Sequence, residues 1–589
     1  MCGILLVLSK TGSLDSSPCR RALSTLYWRG PDFAASRLWE SRLFLGQTVL
    51  SITGDPRGGE GDYQRSKSGR YEILFNGQIY NFGQLEARFL RPRPDLTTRS
   101  GTDTEVLANL HEVLPAAEVP PLLDGMYTYV LFDEKARQVH LVRDVQGEKS
   151  LYVYEDERLV VVASEIRAIR SLVPAIGSDH QALRDYFRTR HLMLLNRTVH
   201  HGIRELPPGH FDTLDLDALA WSPRRIGRLR DWIEPQRMLD NARRGPDSLA
   251  DELDALLADC VDEMIPKSRR YAVVVSGGVD SSLVAHYLVT RGNPDLFVAV
   301  NHVGKDRLSA DLSGFEKALD RSIATLQVDA PSYAAEIARC QQACGGPLHS
   351  HSFVPQSQQS AFVRASGCRV LFGGDGADEL FGGYEAYLGP YAAKGRFSPS
   401  PYMAYLPTLL KFRLDDPNPF REELAAAWLD ACEAYAFIEN RQDCERLAMM
   451  YCDSAWQLPG VGLRGADLMS MMWSVETRSV YLRRPLVQFA LNLPAAMKVN
   501  PDVKISPLLR AKPLLKRLFL RYFPASLLGE KQGFGGFPNE AGAWLGPPTD
   551  YLAVADLQIH PGSLEAAWSD QATAWKLINI EYFLRYGRA

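Results

Sequence analysis

An apolar run that leads straight into a glycine-rich loop is the feature that most restricts what this chain can fold into. Residues 271–275 (YAVVV) are apolar, glycines follow at once, and helical spacing begins at residue 279. A short buried strand, a tight turn and a helix in this order are typical of a βαβ unit. Two more strand-like runs, 296–300 and 369–372, lie between helical segments. The second half therefore predicts a parallel sheet with helices on its faces.

The loop after the first of these runs has the residue types that bind a polyphosphate. Glycines let an anion approach the backbone, amide N–H groups and serine hydroxyls donate to phosphate oxygens, and a carboxylate holds Mg²⁺ against them. No lysine follows the glycines, as it would in a Walker A loop. We assign phosphate binding to Ser276, Gly277, Gly278, Ser281 and Ser282, and metal binding to Asp280.

A second glycine-rich loop, residues 373–384 (GGDGADELFGGY), follows the run at 369–372. The carboxyl ends of neighbouring parallel strands meet at one edge of a sheet, so we expect both loops to face one crevice. Asp378 would then share a metal ion with Asp280, and Asp375 would act as a base or orient an amine. The alternative is an ordinary helix start with acidic residues in its first turn.

The first half of the chain has a different pattern of apolar residues. Short apolar or alternating runs occur at 43–50, 71–75, 127–132, 139–142 and 159–163, with helical stretches at 19–27 and 104–113. This pattern predicts an α+β domain of packed antiparallel sheets. Residues 215–248, with many Arg, Asp and Pro, are interpreted as a linker. The predicted organisation is a domain at 2–214, this linker, and a second domain at 249–589 that is mostly helical past residue 385.

Cysteine at position 2 is a candidate nucleophile. A methionine before a small residue is commonly removed in cells, which would leave Cys2 with both a thiol and a free α-amine. An α-amine of pKa near 8 is a suitable general base beside a thiol. An inert buried thiol is the alternative.

The overall composition excludes several classes of protein. The 66 Lys and Arg against 70 Asp and Glu give a net charge of −4, so no basic excess is available to hold nucleic acid. Nine irregularly spaced cysteines suit a reducing compartment. We find no apolar run of 18 residues and no basic segment before the short apolar N-terminus. These features predict a cytoplasmic protein with neither a nucleic acid nor a membrane as partner.

Together these motifs resemble the asparagine synthetase B group, the glutamine-dependent amidotransferases with an N-terminal nucleophile. The resemblance implies an α+β N-terminal-nucleophile domain (an αββα sandwich), followed by an α/β parallel-sheet domain of the PP-loop ATP pyrophosphatase type with a largely helical C-terminal part. The segments that carry it are MCGI (1–4), RGPD (29–32), FNGQIYN (75–81), GTDTE (101–105), RDVQGEK (143–149), ASEI (163–166), LPPGH (206–210), the two glycine-rich loops, SVETR (474–478), Lys512 and KQGFG (531–535).

The resemblance implies a carbon–nitrogen ligase with two sites. In the first, Cys2 attacks the side-chain amide of glutamine or of another γ-glutamyl donor, while Asn76 and Gly77 hold the oxyanion. Ammonia would cross an internal tunnel to the second site, where ATP, with Mg²⁺, adenylates a small-molecule carboxylic acid. A homodimer is also implied. The remaining implied site residues are Gln78 and Asp103 for the donor, Val274, Val300, Gly373 and Gly374 for the nucleotide, and Lys512 for phosphate charge.

Two departures from the family pattern concern the donor. Val49 stands where the family has an arginine that grips the donor α-carboxylate, and Gln78 stands where it has a glutamate. Valine cannot make the bidentate contact of a guanidinium with a carboxylate. Three explanations stay open: another arginine such as Arg57 substitutes, the donor is a modified glutamine or γ-glutamyl compound, or free ammonia or another amine is used.

Other departures concern the acceptor. Residues 345–351 (GGPLHSH) replace an acidic stretch, and Arg483 stands where the family has an aspartate. We therefore expect an acceptor other than aspartate, namely a larger hydrophobic or acidic carboxylic acid used in biosynthetic tailoring. The alternatives are a true asparagine synthetase, an intramolecular amide-forming enzyme of the β-lactam synthetase or lasso-cyclase kind, a non-catalytic relative, and an RNA-modifying ligase.

A possible metal site is also present in the sequence. The spacing of Cys340, Cys344, His349 and His351 suits zinc, although a helix end and a polar loop are the simpler interpretation.

Overall fold

The computed structural model describes residues 1–54, 64–96, 98, 100–188, 196–303, 312–388, 411, 413, 419–502, 504–529, 536 and 548–586. Two features of the sequence analysis lie outside these residues: Arg57, and the KQGFG segment at 531–535.

Two antiparallel sheets pack face to face in the N-terminal half. Their orders are β2-β3-β1-β8-β7-β9 and β11-β10-β6-β5-β4, and leucines and valines of both sheets form one apolar cluster between them. The strands are β1 (Cys2–Ser9), β2 (Phe33–Trp39), β3 (Leu43–Val49), β4 (Tyr71–Ile79), β5 (Gly125–Asp133), β6 (Gln138–Arg143), β7 (Tyr152–Glu155), β8 (Leu159–Ala163), β9 (Ile203–Glu205), β10 (His210–Asp215) and β11 (Ala220–Arg225).

Helices cover the outer faces of this sandwich. Helices α1 (Ser16–Ser24) and α4 (Ile166–Leu172) pack on the first sheet, and α3 (Asp103–Val113) packs on the second. The central strand β1 is apolar at almost every position because both of its faces are buried. These layers confirm the predicted αββα sandwich. The other helices of this half are α2 (Phe82–Leu85) and α5 (His180–Arg188).

A parallel sheet organises the second half. Its order is β14-β13-β12-β15-β16, and all of its strand pairs are parallel. This confirms the predicted α/β class. Strands β14 and β16 were not expected, because one alternates polar and apolar residues at a sheet edge and the other has only four residues. The strands are β12 (Tyr271–Val274), β13 (Leu296–His302), β14 (Ile323–Val328), β15 (Val370–Gly373) and β16 (Glu476–Ser479).

Helices surround this sheet and make up most of the described chain after residue 385, as the sequence predicts. No helix among the described residues is long and apolar enough to cross a membrane. The helices are α6 (Pro235–Arg243), α7 (Pro246–Met264), α8 (Val279–Arg291), α9 (Ser313–Leu319), α10 (Ala330–Cys344), α11 (Phe353–Ala365), α12 (Ala377–Phe381), α13 (Pro419–Ala434), α14 (Arg441–Cys452), α15 (Arg464–Met471), α16 (Arg484–Leu491), α17 (Pro507–Arg510), α18 (Pro513–Tyr522), α19 (Leu552–Asp556), α20 (Pro561–Ser569) and α21 (Gln571–Tyr586).

The segment at 215–248, interpreted from its composition as a linker, is more structured than expected. Strand β11 lies within it and pairs with β10 at the edge of the second sheet, and helix α6 follows. Polar composition was misleading because an edge strand is exposed on one side and tolerates arginine and proline. The first half of this segment is therefore part of the sandwich, while the domain limits at 2–214 and 249–589 stay a prediction.

Candidate functional site

A pocket at the N-terminal end of β1 contains the predicted nucleophile. Cys2 is buried, and its backbone N–H donates to Asn76 Oδ1 at 3.0 Å. The neighbouring strand β3 places Val49 directly opposite Cys2. The pocket is lined by Met1, Cys2, Gln47, Val49, Leu50, Ser51, Ile52, Thr53, Phe75, Gly77, Gln78, Thr102, Asp103 and Thr104.

Asn76 and Gly77 lie side by side on β4. The Asn76 side chain is fully buried, and among the described residues its Nδ2 has no hydrogen-bond partner. A buried unpaired donor beside a nucleophile is suited to an oxyanion. Gly77 has a φ of +154°, and a Cβ there would lie 2.0 Å from the Met126 carbonyl oxygen. Only glycine fits at this position, which keeps the Asn76 amide close to Cys2.

Gln78 and Asp103, assigned to the donor head group, are bonded to each other. Gln78 Nε2 donates to Asp103 Oδ2 at 3.0 Å, and Gln78 Oε1 accepts from Thr53 at 2.7 Å and from Arg478 at 3.3 Å. The backbone N–H of Ile79 also donates to Asp103. Burial raises the pKa of Asp103 to about 6. Sequence reasoning missed Arg478, which reaches this pocket from the other half of the chain.

The Cys2 thiol needs a base to become nucleophilic. Burial raises the pKa of Cys2, although the nearby N-terminal ammonium opposes that effect. The ammonium of Met1 is buried and binds Glu476 Oε2 at 3.1 Å and the Leu50 carbonyl oxygen at 3.2 Å. A cationic group at the N-terminus therefore has a carboxylate partner in the second half of the chain.

A buried ionic network joins the thiol pocket to the second half. Arg29 Nε donates to the Cys2 carbonyl oxygen at 3.0 Å, and Arg29 Nη2 donates to Asp467 at 2.9 Å. Asp467 also accepts from Lys149 Nζ at 3.0 Å. All three side chains are at most 3 % exposed. Arg29 lies in the RGPD segment noted above, but no pattern around Asp467 marks it as its partner.

The first glycine-rich loop joins β12 to α8. Gly277 has a φ of +79°, which favours glycine, and α8 begins at Val279. Inside the loop, Ser281 Oγ accepts from the Ser276 backbone N–H at 3.1 Å, and Ser282 Oγ donates to the Gly278 carbonyl oxygen at 2.8 Å. The loop is therefore a compact strand-to-helix turn, as the sequence predicts.

Lys512 brings the two glycine-rich loops together. Its ammonium forms ion pairs with Asp280 of the first loop and with Asp378 of the second. Burial tends to lower the pKa of Lys512, but the two carboxylates outweigh it and raise that pKa. A Cβ at Gly383 would lie 1.8 Å from Asp378 Oδ1 and 2.3 Å from Lys512 Cε, so glycine leaves room for this cluster.

Asp375 lies in the same crevice. Ser479 Oγ lies 3.4 Å from its Oδ2, and burial raises the pKa of Asp375. The hydroxyl of Tyr481 donates to the Asp280 carbonyl oxygen at 3.2 Å, and a Cβ at Gly374 would lie 3.1 Å from Asp280 Cβ. The residues expected to line the nucleotide pocket follow the same edge: Val274 ends β12, Val300 lies near the end of β13 and Gly373 ends β15.

The cysteine and histidine pattern at 340–351 does not assemble into a metal centre. Among the described residues, no group of three or more His, Cys, Asp and Glu side chains could hold a metal ion. Cys340 is fully buried, and burial raises the pKa of its thiol well above the ordinary value. His349 Nδ1 lies 2.9 Å from the Gly460 carbonyl oxygen. These positions follow the simpler interpretation, a helix end and the loop after it.

Arg483 lies at the contact between the two halves. Its guanidinium pairs with Asp124 at 2.6 Å and with Glu263, and its side chain is 1 % exposed. The guanidinium also lies 4.6 Å from the Tyr80 ring centroid. Its position here gives no support for a changed acceptor pocket, because its charge is used to pair two acidic neighbours.

The two halves belong to two known classes of domain. Residues 1–223 match the family model described as a glutamine amidotransferase domain, and residues 252–577 match the model described as asparagine synthase. The chain therefore belongs to the asparagine synthase family and has the amidotransferase domain in front, as the motifs predict.

Several relatives bear the asparagine synthetase name. Asparagine synthetase (glutamine-hydrolyzing) 3 of Bacillus subtilis is 24 % identical over 575 residues, which cover 90 % of this chain and 86 % of that protein. Proteins of Mycobacterium bovis and Mycobacterium tuberculosis with that name are 29 % identical over 333 residues, or 55 % of this chain. The matched region spans about half of their length, 49 %. A solved structure of glutamine phosphoribosylpyrophosphate amidotransferase from B. subtilis is 14 % identical to this chain, with a TM-score of 0.29 over 63 % of this chain and 80 % of that chain.

Proposed function

We propose that this protein is an ATP-dependent amidotransferase. It releases a nitrogen nucleophile from glutamine or from another γ-glutamyl donor, activates a small-molecule carboxylic acid as an acyl-adenylate, and joins the two as an amide. The observation that carries this proposal is the meeting of Asp280, Asp378 and Lys512 from three separate segments, in a chain that also holds Cys2 against Asn76.

Nitrogen release uses the pocket at β1. Once Met1 is removed, the backbone nitrogen that now donates to Asn76 Oδ1 becomes the α-amine of Cys2 and takes the thiol proton. The thiolate attacks the donor amide, and Asn76 Nδ2 donates to the oxyanion. One such donor lowers a barrier by about 3 kcal/mol. The amine returns its proton to the leaving ammonia, and water then frees the acyl group from the thiol.

Acid activation uses the crevice between the two glycine-rich loops. The loop at 276–282 binds the phosphates through backbone N–H groups and serine hydroxyls. Lys512 neutralises phosphate charge, and the acceptor carboxylate displaces pyrophosphate from the α-phosphorus. The amine then attacks the carbonyl carbon of the acyl-adenylate and AMP leaves, while Asp375 takes a proton from the amine, a role that its raised pKa suits.

The carboxylates of this crevice fit a magnesium ion. Asp280 and Asp378 supply oxygen ligands, which Mg²⁺ prefers, and with Lys512 they leave one net negative charge. These two residues would hold the ion. Bound there, it would neutralise the negative charge of the triphosphate and of the pyrophosphate that leaves.

We infer that the acceptor is not aspartate. Residues 345–351 support this inference, because they contain no carboxylate where the family has an acidic stretch. The names of the relatives favour the second candidate, a true asparagine synthetase. A cytoplasmic homodimer is also inferred, from the resemblance and composition alone.

Cys2→Ala tests the proposal directly. We expect this variant to lose glutamine-driven ligation and to keep ammonia-driven ligation, because only the first needs the thiol. Pyrophosphate release is measured over a panel of carboxylic acids that includes aspartate. Asp378→Ala should abolish release with either nitrogen source, whereas Cys344→Ala serves as the control for loss of a cysteine. Full glutamine-driven activity in Cys2→Ala, or amide formation from aspartate alone, would contradict the corresponding part of the proposal.

A further inference from the structure

Helix α11 carries three glutamines with buried polar atoms that have no partner. Gln356 Oε1, Gln358 Oε1 and Gln359 Nε2 make no hydrogen bond with any described residue, and Gln359 is 5 % exposed. The helix is a core element that packs against α10, α15, β13 and β14. Buried amides are normally hydrogen-bonded, and an unpaired one destabilises a fold. Gln356 and Gln358 are partly exposed, so the unpaired Nε2 of the buried Gln359 is the one that requires an explanation.

The first turns of α11 point toward the reaction edge of the parallel sheet. The end of this helix, Ala365, is joined by only four residues to the start of β15, so α11 runs from the carboxyl edge of the sheet to its amino edge. Residues 353–360 are therefore nearest to the edge at which the two glycine-rich loops open. All three glutamines lie in this stretch.

The packing partners of α11 show how far Gln359 lies along the strands toward the carboxyl edge of the sheet. Val363 packs with Val298 of β13 in one apolar cluster. Gln359 precedes Val363 by one turn on the same helix face, a rise of about 6 Å. Val300 follows Val298 on the same strand face, about 6.6 Å nearer the carboxyl edge. Gln359 therefore lies at the level of Val300, which borders the proposed nucleotide pocket.

The other polar side chains of this stretch are satisfied within the protein. Ser357 Oγ donates to Glu336 at 3.0 Å and accepts from Trp473 Nε1 at 2.9 Å. The Arg339 guanidinium lies 4.0 Å from the Trp473 ring centroid. The polar side chain of α11 that contacts α10 therefore has hydrogen-bond partners, and the unpaired polar atoms of this stretch belong to the glutamines.

We infer that Gln359 is a hydrogen-bonding subsite for the non-reacting part of the acceptor, and that the acceptor carries a neutral polar group such as a hydroxyl or an amide. A primary amide both donates and accepts, so it complements a neutral polar group without a counter-charge. An apolar acceptor would leave the buried Gln359 amide unpaired, which is the basis of strong selection against it. This inference rests on the proposed function and replaces the expectation of a hydrophobic or acidic acid.

Matched pairs of acids test the subsite. Malate differs from succinate by a hydroxyl, and N-acetylglycine differs from levulinate by an amide N–H in place of a methylene. We measure pyrophosphate release with MgATP and ammonia, so that Cys2 is not needed. We expect kcat/KM at least tenfold higher for the polar member of each pair that is used. Gln359→Met should bring that ratio close to one and leave the KM for ATP unchanged.

Ser357→Ala is the matched control on the same helix. It should lower the Tm and keep the preference for the polar acid. If the glutamines are only an internal defect, Gln359→Met raises the Tm without altering the preference, and this result overturns the inference. Equal rates for both members of each pair also overturn it.

Failure of the proposed function is distinguishable. If the wild-type protein releases no pyrophosphate with any of the four acids, and none with aspartate, the proposed ligase activity is wrong. Binding then decides the inference, through thermal shifts with each acid and a non-hydrolysable ATP analogue. A polar-acid shift in the wild type that is absent in Gln359→Met supports the subsite, and no shift with any polar acid overturns it.

Discussion

At the scale of residues, Asp103 shows how burial changes the pKa of a carboxyl group. It begins helix α3, where Thr102 caps the helix by accepting from the Glu105 backbone N–H. Its carboxylate accepts hydrogen bonds from Gln78 and from the Ile79 backbone N–H, yet burial still raises its pKa to about 6. A donor with an α-ammonium group would bind best when Asp103 is ionised.

This pKa predicts a pH dependence of donor binding. Asp103 is ionised above about pH 6 and protonated below it, so the KM for glutamine should rise as pH falls through 6. At one unit below the pKa about a tenth of the group is ionised, which predicts a KM about tenfold higher at pH 5 than at pH 7.5.

Asp103→Asn should raise the KM at pH 7.5 and remove most of this slope. The comparison uses KM rather than kcat, because protonation of the Cys2 amine affects both proteins alike. A wild-type KM that stays constant from pH 7.5 to pH 5 would show that Asp103 does not bind the donor.

At the scale of elements, the start of helix α16 holds the two halves together. Arg483 immediately precedes the helix and pairs with Asp124, which precedes β5. Gln146 Nε2 donates to the Leu482 carbonyl oxygen at 2.5 Å, which adds a second link between the same regions. The basic side chain of Arg483 thus pairs with one acidic residue of each half, Asp124 and Glu263.

Arg483→Gln should destabilise the protein. Breaking one side of a buried ion pair leaves a carboxylate without its charge partner, which costs about 3 kcal/mol. We expect a lower urea midpoint for the unfolding step that separates the halves. Arg484→Gln is the neighbouring control: its guanidinium donates to the Pro121 carbonyl oxygen at an exposed position, so we expect a change below about 0.5 kcal/mol. Equal urea midpoints for Arg483→Gln and Arg484→Gln would show that the ion pairs of Arg483 do not stabilise the protein.

At the scale of the whole molecule, the ionic network of Arg29, Lys149 and Asp467 connects the thiol pocket to helix α15 of the second half. Asp467 is fully buried, and the pKa of its carboxyl is lowered because the charges of Arg29 and Lys149 outweigh the effect of burial. The same Arg29 holds the Cys2 carbonyl oxygen. The orientation of the thiol pocket therefore depends on a residue of the second half.

Asp467→Asn should weaken this connection. We expect glutamine-driven ligation to fall at least tenfold while ammonia-driven ligation falls less than threefold, because only the first needs both sites aligned. Glutamate and pyrophosphate are measured in the same reaction, and their ratio should rise above that of the wild type. Asp443→Asn is the control, because Asp443 lies on the partly exposed first turn of α14 and its ion pair with Arg446 is within that helix. An unchanged ratio would contradict the role of this network.

Local motifs explain what could be predicted from the sequence. Cys2 and the two glycine-rich loops each lie in a contiguous segment whose spacing indicates a strand, a turn or a helix start, and the antiparallel α+β and parallel-sheet classes followed. The αββα layering and the role of Asn76 were implied by the family resemblance. The contact of Arg29 with Asp467 spans 438 residues, and nothing local to either residue indicates it. Strand β11 was hidden by its polar composition, and Arg483 was misjudged because its partners lie on distant elements.

Strand β16 limits how freely the two halves can be recombined. Within four residues, Glu476 binds the N-terminal ammonium, Arg478 contacts Gln78 and Ser479 contacts Asp375. Expressed alone, the N-terminal half would lack the carboxylate that binds the Met1 amine before Met1 is removed, and the other half would leave Glu476 and Arg478 without these partners. A chimaera that takes either half from another protein should therefore keep this short strand together with the residues that contact it.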